Sequence, residues 1–234
     1  MTRTALVTGA TGFIGARLCK ALKKGGWNIR ALALPGENCD AIAGFEPEII
    51  RGDITRPQTL AGIGAGMDVV FHLAARVLDY GSKKQFYDPI VNGTQHMLDA
   101  CAGHAARFVF ASSIAACGLG RHLKGFIETD TPLKSGIPYN DAKYDAEKMV
   151  RGFQDRFPRG CVIIRPANVI GPRSVWVDEL GKQFRKAPVP LIDRGRYSAS
   201  LIYVDNLVDG MVKAAEADAA SGRTYQFRDD WDVS

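Results

Sequence analysis

No apolar run in the 234-residue chain approaches the length needed to cross a membrane, and no hydrophobic leader precedes the first strand-like residues at Arg3-Thr4. A cytoplasmic location and no membrane partner are therefore expected. Cysteine is scarce and odd in number: Cys19, Cys39, Cys101, Cys117 and Cys161 are widely spaced and form no C-x-x-C pair. That excludes a disulfide framework or a zinc knuckle and implies reduced thiols. His72, His96, His104 and His122 show no metal-ligand spacing, so packing or surface roles are their default and no metal is expected. A basic block is missing as well. The net charge is +5, but lysine and arginine are interleaved with aspartate and glutamate, which argues for a mildly positive surface around an anionic ligand and against nucleic acid. Internal repeats, low-complexity tracts and linkers are absent. What remains, at 46% hydrophobic residues, is a chain long enough for one α/β unit with a substantial core.

The stretch that organises this chain is Thr8-Gly9-Ala10-Thr11-Gly12-Phe13-Ile14-Gly15, between the apolar run Ala5-Leu6-Val7 and the amphipathic Ala16–Leu22. Strand, glycine-rich turn and helix in succession open a βαβ unit that binds a dinucleotide. Gly9 permits the tight turn, Gly12 lets backbone approach a pyrophosphate, and Gly15 lets helix and strand pack closely; the helix N-terminus presents N–H groups to the phosphates. The spacing is G-x-x-G-x-x-G. With Thr8 and Phe13-Ile14 it resembles the extended branch of the short-chain dehydrogenase/reductase superfamily, the NAD-dependent epimerase/dehydratase type, closest in feel to 3β-hydroxysteroid dehydrogenase and dihydroflavonol reductase-like members.

Further motifs extend the resemblance. A second strand over 27–33 ends in Ala33-Leu34-Pro35, where a Rossmann protein usually carries an acid for NAD or an arginine for NADP. Arg17 and Arg30 are either phosphate ligands or exposed face residues, and the choice between NAD and NADP stays open. A third strand ends in Gly52-Asp53-Ile54; the resemblance implies that Asp53 bonds the adenine amino group and Ile54 flanks the ring. The fourth strand ends in His72-Leu73-Ala74-Ala75, whose small residues allow the ribose close; His72 caps or packs. The 83–103 segment reads as one helix with Ile90, Val91, Met97, Leu98 and Cys101 on its apolar face. Ile90 stands where sugar-nucleotide epimerases carry asparagine.

Ser113 follows the fifth strand and aligns with the family's catalytic Ser or Thr. The next residues are Ile114-Ala115, where sugar-nucleotide dehydratases place Asp-Glu, so no acid is available to expel water. Tyr139 and Lys143 form Y-x-x-x-K and share one helical face, where a neighbouring ammonium and the positive nicotinamide would lower the phenol's pKa. Tyr144 with Lys148 is the competing pair. Arg165-Pro166-Ala167-Asn168 closes the sixth strand, and Asn168 contacts substrate or holds its loop. Ala199-Ser200-Leu201 replaces the Arg-Asp-aromatic of sugar-nucleotide enzymes, although Arg194 and Arg196 lie near enough to compensate.

The expected fold is thus α/β, a doubly wound, mainly parallel Rossmann sheet. A dinucleotide-binding domain covers 1–167, and 168–234 holds a small, truncated C-terminal substrate lobe, from segments near 168–200 and 220–234, interleaved with the last sheet elements. The resemblance implies catalysis by Ser113, Tyr139 and Lys143. It implies NAD or NADP held by Gly9, Thr11, Gly12, Phe13, Ile14, Gly15, Asp53, Ile54, Leu73, Ala74, Ala75, Tyr139, Lys143 and Pro166. The leading function is interconversion of a secondary alcohol and a ketone or aldehyde on a small-molecule substrate. Alternatives are a sugar-nucleotide epimerase with bound NAD and a non-catalytic dinucleotide-binding scaffold. Superfamily members commonly dimerise through the helices corresponding to 84–102 and 139–157, so a homodimer is the expected partner state.

Overall fold

Alternating strand residues feed two cores, one on each side of a single sheet. In the computed structural model, which describes residues 2–78, 80–118, 125–186, 194 and 199–230, seven strands lie parallel. They are β1 (Thr4–Thr8), β2 (Asn28–Ala33), β3 (Glu48–Arg51), β4 (Met67–His72), β5 (Ala105–Ala111), β6 (Cys161–Pro166) and β9 (Thr224–Phe227), in the order β3-β2-β1-β4-β5-β6-β9. This is the doubly wound order, with its switch point between β1 and β4. A second parallel pair joins β7 (Asn168–Ile170) to β8 (Leu201–Tyr203).

Among the described residues the α-helices are α1 (Phe13–Lys24), α2 (Asp40–Ala43), α3 (Lys83–Tyr87), α4 (Gly93–Cys101), α5 (Pro138–Gly152), α6 (Val175–Lys186) and α7 (Val204–Glu216). Ala5, Val7, Val69, Phe71, Val109, Val162 and Ile164 share a core with Leu18 and Leu22 of α1 and Leu207 and Met211 of α7. Their strand neighbours Leu6, Val70, Phe108, Phe110 and Ile163 share the opposite core with Met97 and Leu98 of α4 and Ala142, Ala146 and Val150 of α5. The period of two along each strand therefore assigns side chains to the two layers.

The helix expected over 83–103 is interrupted. Asp88–Asn92 forms a π-helical turn between α3 and α4. Pro89 has no N–H to continue the α-ladder and its ring crowds the preceding turn, so the backbone widens locally. Ile90, Met97, Leu98 and Cys101 still face the core as expected. The residues near 220–234, grouped from the sequence with the substrate lobe, instead contribute β9 to the main sheet, in register with β6 from Ile163↔Thr224 to Pro166↔Phe227. At the other end of α7 the buried Arg107 donates through Nη1 to the carbonyls of Ala214, Ala215 and Ala217 at 3.0, 2.9 and 2.6 Å. A cation thus satisfies carbonyls that the helix C-terminus leaves open.

None of the described helices is long and apolar enough to cross a membrane. No disulfide joins the five cysteines, and burial pushes the thiols of Cys19, Cys101 and Cys161 up to about 12. His122, Arg196 and residues 231–234 lie outside the described residues.

Candidate active site

The glycine-rich turn has the geometry a diphosphate needs. Gly9 adopts φ +67°, and a Cβ there would stand 3.0 Å from the Ala74 amide nitrogen. A Cβ on Gly15 would stand 2.0 Å from the Gly9 carbonyl oxygen, so helix and turn are in contact at that point. A Cβ on Gly12 would meet only the Gly9 oxygen, at 3.2 Å, and otherwise project into open space. Gly12 is also the N-cap of α1 and supplies no side-chain cap, which leaves first-turn N–H groups for a ligand. The residues present therefore fit a dinucleotide.

A buried hydrogen-bond chain fixes the turn to the end of β4. Thr8 Oγ1 accepts from the amides of Leu73 and Ala74, each at 3.1 Å, and lies 2.8 Å from His72 Nδ1. His72 Nε2 lies 3.1 Å from Thr94 Oγ1, whose hydroxyl donates to the Ile90 carbonyl at 2.6 Å. Having spent its proton, Thr94 can only accept, so Nε2 carries the imidazole hydrogen and Nδ1 accepts from Thr8. His72 is neutral: burial, with Lys143 nearby, pulls it down to about 3. A histidine whose folded pKa is depressed contributes stability that is complete above about pH 6.5 and is lost on acidification. From pH 6.5 to 5 this one site is expected to cost about 2 kcal/mol. Thermal unfolding of wild type and His72→Gln across that interval checks it: the wild-type Tm should fall more steeply, and parallel curves would contradict the assignment.

The catalytic candidates come together beside this cradle. Ser113 follows β5, and Tyr139 lies in the first turn of α5, where Pro138 starts the helix. Ser113 lies close enough to the Tyr139 phenol to favour its ionised form. Ser113 Oγ accepts from the Ala115 amide at 3.1 Å, so its own proton is free to point at the phenol oxygen. Lys143, buried one helical turn on, donates to the Ala111 carbonyl at 2.6 Å with its ammonium 4.9 Å from the centre of the Phe110 ring. Burial pulls Lys143 down to about 8, against the opposing pull of Glu147. Tyr139 differs from the sequence expectation. Burial pushes its phenol up and nearby Ser113 only partly offsets this, while Lys143, engaged with Ala111, does not lower it. The competing Tyr144 lies 5.7 Å from Lys134 and not against Ser113.

Beneath the pair sits a network that the sequence reading passed over. Glu147, one turn beyond Lys143, bonds Arg165 Nε at 2.8 Å and Nη2 at 2.7 Å, accepts from Ser112 Oγ at 2.7 Å, and meets Arg151 at 3.1 Å. Burial alone would raise the Glu147 carboxyl, but Arg165, Ser112 and Arg151 hold it below the ordinary range. The four-residue step from Tyr139 through Lys143 to Glu147 was the available signal, since it places all three on one face.

Other candidates divide. Asp53 Oδ1 is taken by the Thr55 amide and hydroxyl, both at 2.8 Å, while Oδ2 has only Arg56 at 3.9 Å and is open to a further donor. Ile54 is buried and packs against Gly93, whose added Cβ would lie 2.7 Å from Ile54 Cδ1. Pro166, the last residue of β6, is buried and in register with Phe227. Asn168 holds its loop, donating to the Ala199 carbonyl at 2.6 Å. Arg30 is occupied by Glu48 at 2.8 Å and the Ile63 carbonyl at 3.1 Å, and Arg17 sits 3.8 Å from Asp205. The residue that reaches the turn from beyond β2 is Glu37, which accepts from the Thr11 hydroxyl and from the Leu34 amide at 2.7 Å. Pro35-Gly36 folds the chain back so that an acid four residues past the strand arrives there.

The model of the NAD-dependent epimerase/dehydratase family matches residues 5–227. The chain belongs to that family. Within it, the chain is 29% identical over 229 residues to a 2-alkyl-3-oxoalkanoate reductase of Stenotrophomonas maltophilia, covering 94% of this chain and 68% of the relative. It is 30% identical over 240 residues to the Escherichia coli O157:H7 N-acetyl-alpha-D-glucosaminyl-diphospho-ditrans,octacis-undecaprenol 4-epimerase, covering 100% of this chain and 70% of the relative. Among solved structures, that of gox2253 superposes with TM-score 0.81 at 26% identity, over 98% of this chain and 71% of that one. The family member described here is therefore an NAD-type dinucleotide protein of the oxidoreductase/epimerase class, and its relatives include both reductases and sugar-nucleotide epimerases.

Proposed function

We propose that this protein is an NAD-dependent oxidoreductase that interconverts a secondary alcohol and a ketone or aldehyde. The observation that carries the reading is the approach of Ser113 to the Tyr139 phenol, with Lys143 buried one turn away. The dinucleotide, when bound, supplies or accepts the hydride. For reduction, Ser113 orients the carbonyl oxygen and Tyr139 donates the proton to it, the roles that a shared hydroxyl pair next to a cation allows. Lys143, positive below about pH 8, binds the nicotinamide ribose. Ile114-Ala115 provide no acid for dehydration, and the reductase from Stenotrophomonas maltophilia supports the redox reading. Sugar-nucleotide epimerisation is the second reading; the Escherichia coli epimerase, which acts on a diphosphate-linked sugar, supports epimerase chemistry over the whole of this chain and 70% of its own length, while Ile90 and Ala199 oppose a sugar nucleotide.

Glu37 further specifies NAD over NADP. Its carboxylate, beside Thr11 at the glycine-rich turn, offers an acceptor to a ribose 2′-hydroxyl and repels a 2′-phosphate. Arg51 stands next to it, donating to the carbonyls of Leu34 and Glu37 at 3.0 and 2.8 Å. Glu37→Ser is expected to reduce the NADH-over-NADPH preference in Kd by about 10-fold or more, the scale of one charged contact. An unchanged ratio would remove Glu37 from cofactor choice. Oxidation of NADH followed at 340 nm against aliphatic and aromatic ketones and aldehydes tests the reaction. Turnover lost in Tyr139→Phe is expected; no turnover of any carbonyl, with NAD found tightly bound, would favour the epimerase.

A further inference from the structure

Three guanidinium groups carry a buried nitrogen with no hydrogen-bond partner: Arg107 Nη2, Arg165 Nη1 and Arg76 Nε. The first two belong to groups otherwise well satisfied, Arg107 by helix carbonyls and Arg165 by Glu147. Arg76 is different. Among the described residues it makes no hydrogen bond and no ion pair; its one contact is with the Phe86 ring, 5.9 Å from the guanidinium carbon. Leaving a buried donor unpaired is costly, so the Arg76 Nε is open to a ligand.

The location says what it is near. Arg76 follows Ala74 and Ala75, which the sequence places at the ribose, and the Ala74 amide is bonded to Thr8 at the glycine-rich turn. Phe86, on which the guanidinium rests, packs edge-on against the Tyr139 ring at 6.1 Å between centroids. The cation is thus one aromatic ring away from the proposed proton donor. The residues that follow it, Val77 and Leu78, are 70% and 45% exposed, and Ile137, two positions before Tyr139, is 46% exposed. A guanidinium with an open Nε fits an oxyanion, and the exposed apolar side chains that neighbour Arg76 and Tyr139 along the chain fit a hydrocarbon.

We propose that Arg76 is a specificity-determining residue that binds a carboxylate on the substrate, and that the substrate class is an apolar oxo acid or the corresponding hydroxy acid. The assignment rests on the oxidoreductase reading for its chemistry, but not for its anion site. The apolar neighbours favour a carboxylate on a hydrocarbon over the diphosphate of a sugar nucleotide, which presents polar groups on both sides of its charge.

Two measurements separate the proposal from that reading. In the first, decanoate, methyl decanoate and UDP are titrated into the protein–NADH complex, with NADH fluorescence as the signal. Decanoate should bind at least about 10-fold more tightly than its ester, the scale of one charge-assisted contact. That preference should vanish in Arg76→Gln and return in part in Arg76→Lys, with NADH affinity retained in both as the sign of an intact fold. In the second, kcat/KM is compared for 4-oxodecanoate and its methyl ester. The acid-to-ester ratio should collapse by about 10- to 100-fold in Arg76→Gln, chiefly through KM. Equal binding of acid and ester, Arg76-dependent binding of UDP in preference to decanoate, or a loss of NADH affinity in Arg76→Gln would each overturn the carboxylate site. Arg76-dependent decanoate binding without turnover of any oxo compound would instead overturn the oxidoreductase reading and leave the anion site standing.

Discussion

Tyr139→Phe is expected to lower carbonyl reduction by about 10²- to 10⁴-fold, the range of a lost general acid, with dinucleotide affinity nearly intact. The substitution removes one oxygen and keeps the ring, so the edge-on contact with Phe86 survives. Ser113 keeps the Ala115 amide, which holds its rotamer. Loss in kcat without a comparable rise in KM marks an interaction made in the transition state. The wild-type pH profile supplies an independent readout. Lys143 must be charged, and burial brings it down to about 8. Activity in the reductive direction should therefore be full below that pH and fall as pH rises through it. Retained turnover in Tyr139→Phe would remove the phenol from the mechanism.

The second large effect concerns stability. Arg165 and Glu147 form a bidentate pair with both side chains inaccessible to solvent. Removing one member leaves the other charged and buried, at a cost of about 3–5 kcal/mol. Arg165→Met should therefore be severely destabilised, with Glu147 held only by Arg151 from the surface and by Ser112. The double replacement Glu147→Leu with Arg165→Met should recover most of that loss, because a hydrophobic pair of similar volume carries no desolvation penalty. Chemical denaturation of the two single variants and the double variant measures the coupling directly. Additive losses would mean that the pair does not act as a unit. Ser112 precedes Ser113 and Glu147 follows Lys143 by one turn, so the double variant should also show a lower kcat than its recovered stability implies.

Much of this was legible in the chain because the informative features are local. The turn at Gly9, Gly12 and Gly15, the alternating apolar strands and the Tyr139–Lys143 step all lie within a few residues of one another, and short-range geometry decides them. What escaped depended on distance. Glu37 reaches Thr11 from beyond a Pro-Gly turn, and the tautomer of His72 is set by Thr8 and Thr94 on two other elements. Pro89 interrupts a continuous apolar periodicity without altering which side chains face inward, so the pattern read as one helix although the backbone widens there. β9 presented only Thr224-Tyr225-Gln226-Phe227 as a signal, and its place at the sheet edge follows from pairing with β6. The electrostatics were the hardest to anticipate. Adjacency on a helix suggested that Lys143 acts on Tyr139, whereas its hydrogen bond goes to the Ala111 carbonyl.

The central claim is that hydride passes between the dinucleotide and an exchanging substrate at the Ser113–Tyr139–Lys143 site. Its most direct test is to supply NADH carrying two deuterium atoms at nicotinamide C4 with an oxo substrate that is turned over, then locate the label by mass spectrometry and NMR. The account predicts one deuterium on the carbinol carbon of the released alcohol, with an equal amount of NAD⁺ formed. Product without deuterium, or substrate converted to its epimer while the nucleotide pool stays reduced, would contradict it.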